Sequence, residues 1–300
     1  MMKKFFYTIA SVSILASAAL AQEPAKDNEF DKKFRFGIRA TPQPSWIKSD
    51  NKNSSGAGAV FGFGFGLIAE FKFSNIVHFS TGIGGDFEGG YINYRNDNEF
   101  TVNAVVNSEG EYVEAKDGLK LSEYALKNGN TQYQVKDRKY KTTFVTIPVL
   151  LKMMTQEYSG LKYFAVFGGE IGIRAGIKAN DTYVSGLKTT VTGTTTSTQE
   201  VSSGDLSLEN INLGKDASFA PFRVGMNLGM GTEYRLGGST SIVCSVNYFQ
   251  SFTNLMRKDS KFLVKGADTK YDPIEDKYDF SPLNQGLFMR AVRINIGIMF

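Results

Sequence analysis

The sequence predicts an all-β fold: an eight-stranded antiparallel transmembrane β-barrel with long extracellular loops. Three observations carry that expectation. Long segments alternate apolar and polar residues with period two, the period at which strand side chains change face. Short connections alternate with long polar ones along the chain, the asymmetry of a membrane barrel with tight inner turns and longer outer loops. Glycine (31), phenylalanine (24) and tyrosine (14) are abundant while proline (7) is scarce, which suits strands and turns. Beyond the N-terminus no apolar run approaches the ~18 residues that cross a bilayer as a helix.

The first element lies outside the barrel. Lys3 and Lys4 form a basic start, Phe5 to Leu15 an apolar core, and Ala19-Leu20-Ala21 a small-x-small cleavage site before Gln22, so residues 1–21 read as a secretory signal peptide. An uncleaved anchor is the alternative, and the short core and the charged segment behind it disfavour it. No cysteine stands at the cleavage point, which disfavours a lipid-anchored form. Residues 22–33 form a polar N-terminal segment, and residues 34–300 the barrel. Cys244 is the single cysteine, so no internal disulfide forms. Cleavage leaves basic and acidic residues nearly balanced, and global charge implies neither nucleic acid nor an acidic partner.

Each strand follows from its own alternation. Phe34, Phe36 and Ile38 oppose Arg35 and Arg39 in the first. In "AVFGFGFGLIAEFKFS", Phe61, Phe63, Phe65, Leu67, Phe71 and Phe73 oppose Gly62, Gly64, Gly66, Glu70 and Lys72. Val77, Phe79, Ile83 and Phe87 then face away from His78, Ser80, Asp86 and Glu88. The fourth strand, Lys141 to Met153, carries Val145, Ile147, Val149 and Leu151 on one side; Pro148 cannot donate to a ladder, so a bulge is expected there. In the fifth, Phe167, Ile171, Ile173 and Ile177 oppose Glu170, Arg174 and Lys178. Val224, Met226, Leu228 and Tyr234 oppose Arg223, Glu233 and Arg235 in the sixth, and Ile242, Val246 and Tyr248 oppose Ser241, Ser245 and Asn247 in the seventh. The eighth sets Val292, Ile294, Ile296, Ile298 and Phe300 against Arg293, Asn295 and Gly297.

Short connections fall near Ser74-Asn75, Gln156 to Gly160 and Leu236 to Gly238. Long ones fall at Lys48 to Gly56, Asn96 to Asp137, Ala179 to Ser218 and Asn254 to Asn284. Two of the long ones, "NAVVNSEGEYVEA" and "TTVTGTTTSTQEVS", have β-rich arms around glycine, so strands are expected to continue above the membrane as hairpins. This leaves ten strands as an alternative. The last strand is expected to pair with the first, because closure removes unpaired edges from the hydrocarbon.

The ending "RINIGIMF" resembles the C-terminal signal of bacterial outer-membrane proteins, an alternating strand closing on an aromatic. That resemblance implies that Ile294, Ile296, Ile298 and Phe300 are read by the barrel-assembly machinery. "FRFGIRATPQPSW", "TTFVTIPVLLK", "AVFGGEIGI" and "INIGIMF" together resemble the PorT-like outer-membrane β-barrel family typical of Bacteroidetes. The resemblance implies a bacterial (Gram-negative) cell outer membrane and an accessory role in protein secretion. It brings no catalytic signature.

The inward parity gathers Arg35, Arg39, Lys72, Lys152, Arg174, Lys178, Arg223, Arg235 and Arg293 with the acids Glu70, Asp86, Glu88, Glu170 and Glu233. Eight strands enclose room for side chains only, so a packed, salt-bridged interior is expected, with a basic path for anions as the alternative. "GFGFGL" and "GIGGDFEGG" are glycine-rich, yet neither joins a strand to a helix or offers Gly-Lys-Ser/Thr, which excludes a phosphate loop. His78, the sole histidine, shares its face with Ser80 and Asp86 but lies at the inner end of its strand, and is read as a structural interior histidine rather than a catalyst. "DTKYDPIEDKYD" offers oxygens from Asp268, Asp272, Glu275, Asp276 and Asp279, but without the spacing of a calcium loop. A solvated loop is the plainer reading. Arg290 has outward parity about ten residues before the end. A cation costs about 2–4 kcal/mol at mid-bilayer and about 0–1 at the interface, so Arg290 is expected at outer-leaflet lipid phosphates.

No catalytic set, cofactor or metal site is expected. The expected function is a non-enzymatic barrel whose partners are outer-membrane lipids, the assembly machinery and a protein at the outer loops, with no nucleic acid. A small narrow pore, or an outer-membrane enzyme acting on lipid or peptide, are the alternatives.

Overall fold

The computed structural model describes residues 33–95, 101–107, 109, 111–113, 131–192, 195–201, 207–213, 219–257, 262–265, 270–272, 277–279 and 283–300. The expected signal peptide and nearly all of the polar segment lie outside the described residues. So do Asp268, Glu275 and Asp276 of the acidic loop.

In chain order the strands are β1 (Phe34–Ser49), β2 (Ser54–Lys72), β3 (Val77–Tyr94), β4 (Val102–Val106), β5 (Thr131–Met154), β6 (Leu161–Thr192), β7 (Thr195–Val201), β8 (Ser207–Asn212), β9 (Phe222–Gly237), β10 (Thr240–Ser251), β11 (Val264–Lys265), β12 (Lys270–Asp272), β13 (Lys277–Asp279) and β14 (Leu287–Met299). Eight of them close a ring in the order β1-β2-β3-β5-β6-β9-β10-β14 and back to β1. Every neighbouring pair is antiparallel. The other strands stay off the ring: β4, β7 and β8 add to the outer ends of β5 and β6, β11 pairs β4, and β12 pairs β13. The ring therefore has eight strands, not ten.

Closure occurs where the sequence placed it. Register runs from Gly37↔Met299 to Ser49↔Leu287, and the Phe300 amide donates to the Phe36 carbonyl at 2.7 Å. Phe36 and Phe300 also meet as rings, with centroids 5.4 Å apart. One face of each ring strand is exposed and apolar, as in Phe63, Phe65, Leu67, Ile83, Val149, Phe167 and Ile294. A face of this kind is at its lowest free energy against hydrocarbon, and the opposite parity is buried.

Two expectations are corrected. Pro148 makes no bulge: β5 keeps continuous register through Pro148↔Glu170, and on the β3 side the partners resume in step from Thr81↔Val149 to Gly84↔Thr146. A missing donor interrupts bonding locally without moving the strand. The bulge falls instead at Thr143/Phe144. An extra residue reverses parity beyond it, so Ile177 turns inward and is buried, while Lys178 turns outward and is exposed. The hairpin expected within Ala179 to Ser218 is present, since β6 continues to Thr192 and folds back through β7.

Above the membrane the connections fold inward over the mouth. Val102, Val106, Tyr112, Ile211, Leu213 and Leu263 join Phe219, Leu255, Leu283 and Leu287 in one buried apolar cluster. Backbone bonds tie it down, from Leu255 N to Leu287 O at 2.9 Å and from Leu283 N to Leu263 O at 2.8 Å. The outer end is thus a packed core of water-soluble type, continuous with the barrel.

Candidate functional site

The lumen is filled by two ionic networks, each assembled from strands far apart in sequence. The lower one lies near the short turns. Arg35 donates from Nη1 to Glu233 at 2.5 Å and from Nη2 to Glu70 at 2.6 Å. Lys152 Nζ bridges the same two carboxylates at 2.8 and 2.9 Å. His78 Nδ1 lies 2.6 Å from Glu70, and the Ser241 hydroxyl donates to Glu233 at 2.9 Å. Two carboxylates thus meet two cations, with every member buried. An apolar cluster of Phe164, Val166, Val243 and Met299, with Ile68 against it, fills the space beside them. The Lys152 ammonium sits 4.4 Å from the centroid of the Phe164 ring.

The upper network is a square of two arginines and two glutamates. Arg223 reaches Glu88 at 2.6 Å and Glu170 at 3.1 Å, while Arg293 reaches Glu170 at 2.5 Å and Glu88 at 2.7 Å. Arg293 Nε donates to Gln43 at 2.8 Å. Asp86 stands 3.6 Å from Arg293 and accepts from the Thr146 hydroxyl at 2.9 Å. The Phe249 ring lies between both guanidinium groups, at 4.5 and 4.3 Å. A buried charge is tolerable only when its lone pairs and protons are used, and here each carboxylate has at least two partners. Gly172 leaves room beside Arg223 and Phe144, because a Cβ there would come 3.3 Å from both Arg223 Nε and the Phe144 ring and one of the two would have to shift. Between the networks remains a cavity of about 70 Å³, bordered by Arg39, Glu70, Ser80, Lys152 and Asn295.

The remaining interior candidates occupy other places. Arg39 is half-buried, 3.4 Å from Asn295. Arg235 is half-buried at the inner mouth, 3.5 Å from Glu157 of the short turn, and Lys72 is half-buried at the same end. Arg174 is half-buried beside the β5–β6 bulge, and its Nη1 has no hydrogen-bond partner among the described residues. Ile294 and Ile296 are exposed on the outer face, with Ile298 and Phe300 half-buried there. Arg290 also faces outward, opposite Trp46 on one side and Gln250 on the other.

A third polar cluster escaped the sequence reading. Arg138 grips Asp181, and Tyr133 donates to Asp181 at 3.0 Å. Tyr112 bonds both Asp181 and Arg138. This cluster pins the cap to β5 and β6 above the membrane. Burial raises the Tyr112 and Tyr133 hydroxyls well above their usual range, and the Asp181 charge adds to the shift, so both remain neutral donors. Burial alone would lower Arg138, but attraction to Asp181 and the surrounding tyrosines holds it well above its ordinary value. Arg138 keeps the inward parity of Tyr140, Thr142 and Phe144, whereas the register irregularities between Tyr133 and Asp137 bring Tyr133 and Val135 inward, and no residue type marks them.

His78 lies in the lower network, and Asp86 in the upper one. Chemically, these arrangements hold strands together and fill the bore. The matching family model is described as an outer membrane protein beta-barrel domain and covers residues 20–257. No curated protein matches the sequence. Among solved structures, the chain is similar to Neisserial surface protein A (9% identity, 89% of this chain and 96% of that one, TM-score 0.33). It is also similar to the attachment invasion locus protein Ail of Yersinia pestis (10%, 90% and 100%, TM-score 0.28) and to the outer membrane protease OmpT from Escherichia coli (8%, 93% and 98%, TM-score 0.38). TM-scores below 0.5 add nothing to the fold already described. The alternating outward apolar face, the closed eight-strand ring and the family match over residues 20–257 agree: this chain belongs to the outer membrane protein beta-barrel domain family and resides in the bacterial outer membrane.

Proposed function

We propose that this protein is a sealed, non-enzymatic barrel that works through its outer face, as a surface-binding or secretion and envelope-assembly accessory protein. The observation that carries the reading is the pair of ionic networks across the lumen. Arg35, Lys152, Glu70 and Glu233 close it at one level, and Arg223, Arg293, Glu88 and Glu170 at another. A conducting bore of this width would have to leave such charges hydrated rather than locked to one another. The packed cap supports the same reading, since a platform with its own apolar core can present loops to a protein partner without ordering them at the moment of binding. His78 is held in the lower network at the inner end, on the side remote from the cap. The PorT-like resemblance of the strand motifs favours secretion among the accessory roles. The terminal Ile294, Ile296, Ile298 and Phe300 are the proposed contact for the assembly machinery.

Planar-bilayer recording tests the sealed state. No steady conductance is expected from the purified protein, and stable ohmic steps would overturn the reading in favour of a pore. The secreted and surface proteome of a deletion strain tests the role. A defined set of exported proteins retained in the periplasm is expected, and an unchanged set would remove secretion from the proposal.

A further inference from the structure

The outer wall carries a groove of about 890 Å³ that crosses β2, β3, β5 and β6. Its position follows from where the apolar belt stops. Outward residues on β5 run Met153, Leu151, Val149, Ile147 and Val145, and then change to Thr143, Lys141 and Lys139. On β6 they run Phe167, Ile171, Ile173 and Ala175, and then reach Lys178. Both paired strands therefore change character at one level, the upper border of the hydrocarbon.

At that border Lys141 and Lys178 are direct cross-strand partners, and Lys139 is the next outward residue beyond Lys141. Like charges placed directly opposite each other destabilise a sheet. None of the three forms an ion pair with a described residue; Lys141 reaches only the Asn210 side-chain oxygen at 3.4 Å, and Lys139 stands 5.2 Å from the Tyr91 ring. The juxtaposition is built in, because the Thr143/Phe144 bulge is what turns Lys178 outward beside Lys141. The same bulge leaves a hollow, since a Cβ added to Gly176 would meet nothing within 4 Å. The other wall of the groove is aromatic: Phe61, Phe63 and Phe87 are 76%, 46% and 46% exposed.

We infer that this groove binds a phosphorylated lipid of the outer leaflet, its phosphate between Lys139, Lys141 and Lys178 and an acyl chain along Phe61, Phe63 and Phe87. Charge complementarity selects the headgroup, because a phosphate bridging Lys141 and Lys178 turns their repulsion into attraction. The aromatic wall selects a lipid over a free anion, because Phe63 and Phe87 lie in register with Thr143, one outward position nearer the apolar belt than Lys141.

The test uses the intact protein in lipid nanodiscs. Native mass spectrometry would follow retention of a bis-phosphorylated glycolipid, with a zwitterionic phospholipid as the background. Wild type should retain the phosphorylated lipid, and Lys139→Gln/Lys141→Gln/Lys178→Gln should weaken it by about tenfold or more, each lysine near a charged headgroup counting separately. Phe61→Ala/Phe87→Ala, which keeps all three lysines, should weaken the lipid while leaving any binding of inorganic phosphate unchanged. Equal retention by wild type and the lysine variant would overturn the inference. Phosphate binding as tight as lipid binding, insensitive to Phe61 and Phe87, would assign the groove to a free anion and overturn it likewise. Should the triple variant fail to fold, Lys178→Gln alone removes the opposed pair and gives the same readout. Loss of lipid binding with conductance still silent leaves the sealed-barrel reading untouched, so the two proposals fail separately.

Discussion

Arg138 holds Asp181 through two parallel hydrogen bonds, Nε to Oδ1 at 2.7 Å and Nη2 to Oδ2 at 2.8 Å, with both side chains essentially excluded from solvent. Planar, bidentate contact of this kind is both strong and directional. Asp181→Ala leaves the guanidinium buried with no countercharge, and a loss of about 3–5 kcal/mol is expected. Urea titration of the folded protein in detergent, followed by gel mobility, measures it. A loss under about 1 kcal/mol would show that the cap does not depend on this pair.

Alkali should loosen the cap through its tyrosines. Tyr112 and Tyr133 lie well above their ordinary value in the folded state, whereas the unfolded chain titrates near pH 10. Below pH 10 both states hold the proton and stability does not depend on it. Above pH 10 the unfolded chain releases protons that the folded one retains, so stability falls as pH rises. Tyr112→Phe/Tyr133→Phe should flatten the decline between about pH 10 and 12. An unchanged slope in the variant would count against the mechanism.

Gly225 and Gly176 make a matched pair. A Cβ on Gly225 would come 2.7 Å from two carbons of the Phe249 ring, which is already wedged between Arg223 and Arg293. Gly225→Ala should therefore cost about 1–3 kcal/mol by overpacking. Gly176→Ala meets open space and should stay within about 0.5 kcal/mol of wild type. Thermal unfolding of the two side by side distinguishes them, and equal effects would contradict the packing described.

Arg290 faces outward at the level of the Trp46–Tyr248 ring pair, whose centroids are 6.5 Å apart. Its Nε is buried without a hydrogen-bond partner among the described residues. Arg290→Glu should lower folding yield in anionic, lipopolysaccharide-like bilayers and leave it unchanged in zwitterionic ones. Equal yields in both would end the assignment of Arg290 to lipid phosphate.

How far the fold could be read ahead of the structure depended on parity. Wherever register ran unbroken, as in Phe61 to Phe73 or Val292 to Phe300, each side chain's face followed from counting by two. At the Thr143/Phe144 bulge the count failed by one residue and misplaced Ile177 and Lys178 together. Arg138 and Asp181 were missed for a related reason. Asp181 stands in a segment read as a loop and Arg138 just short of the strand read from Lys141, where a polar residue looks merely solvated, and only the fold of the cap brings them together. The cap's core was equally hidden: Val102, Leu213 and Leu263 sit in three separate connections with no common period to announce them.

The ring also dictates an order of events. Seven of its seams join strands that follow one another around the barrel, and each can zip from a nearby turn or loop. The eighth, β1 with β14, joins Gly37 to Met299. A seam with nearly the whole barrel sequence between its partners has the longest loop to close, so it is the slowest to nucleate. Until it forms, the growing sheet has two bare edges that hydrocarbon cannot satisfy. The time this protein spends at risk of misassembly is therefore the lifetime of that one gap, and whatever holds β14 during insertion is guarding an edge rather than a shape.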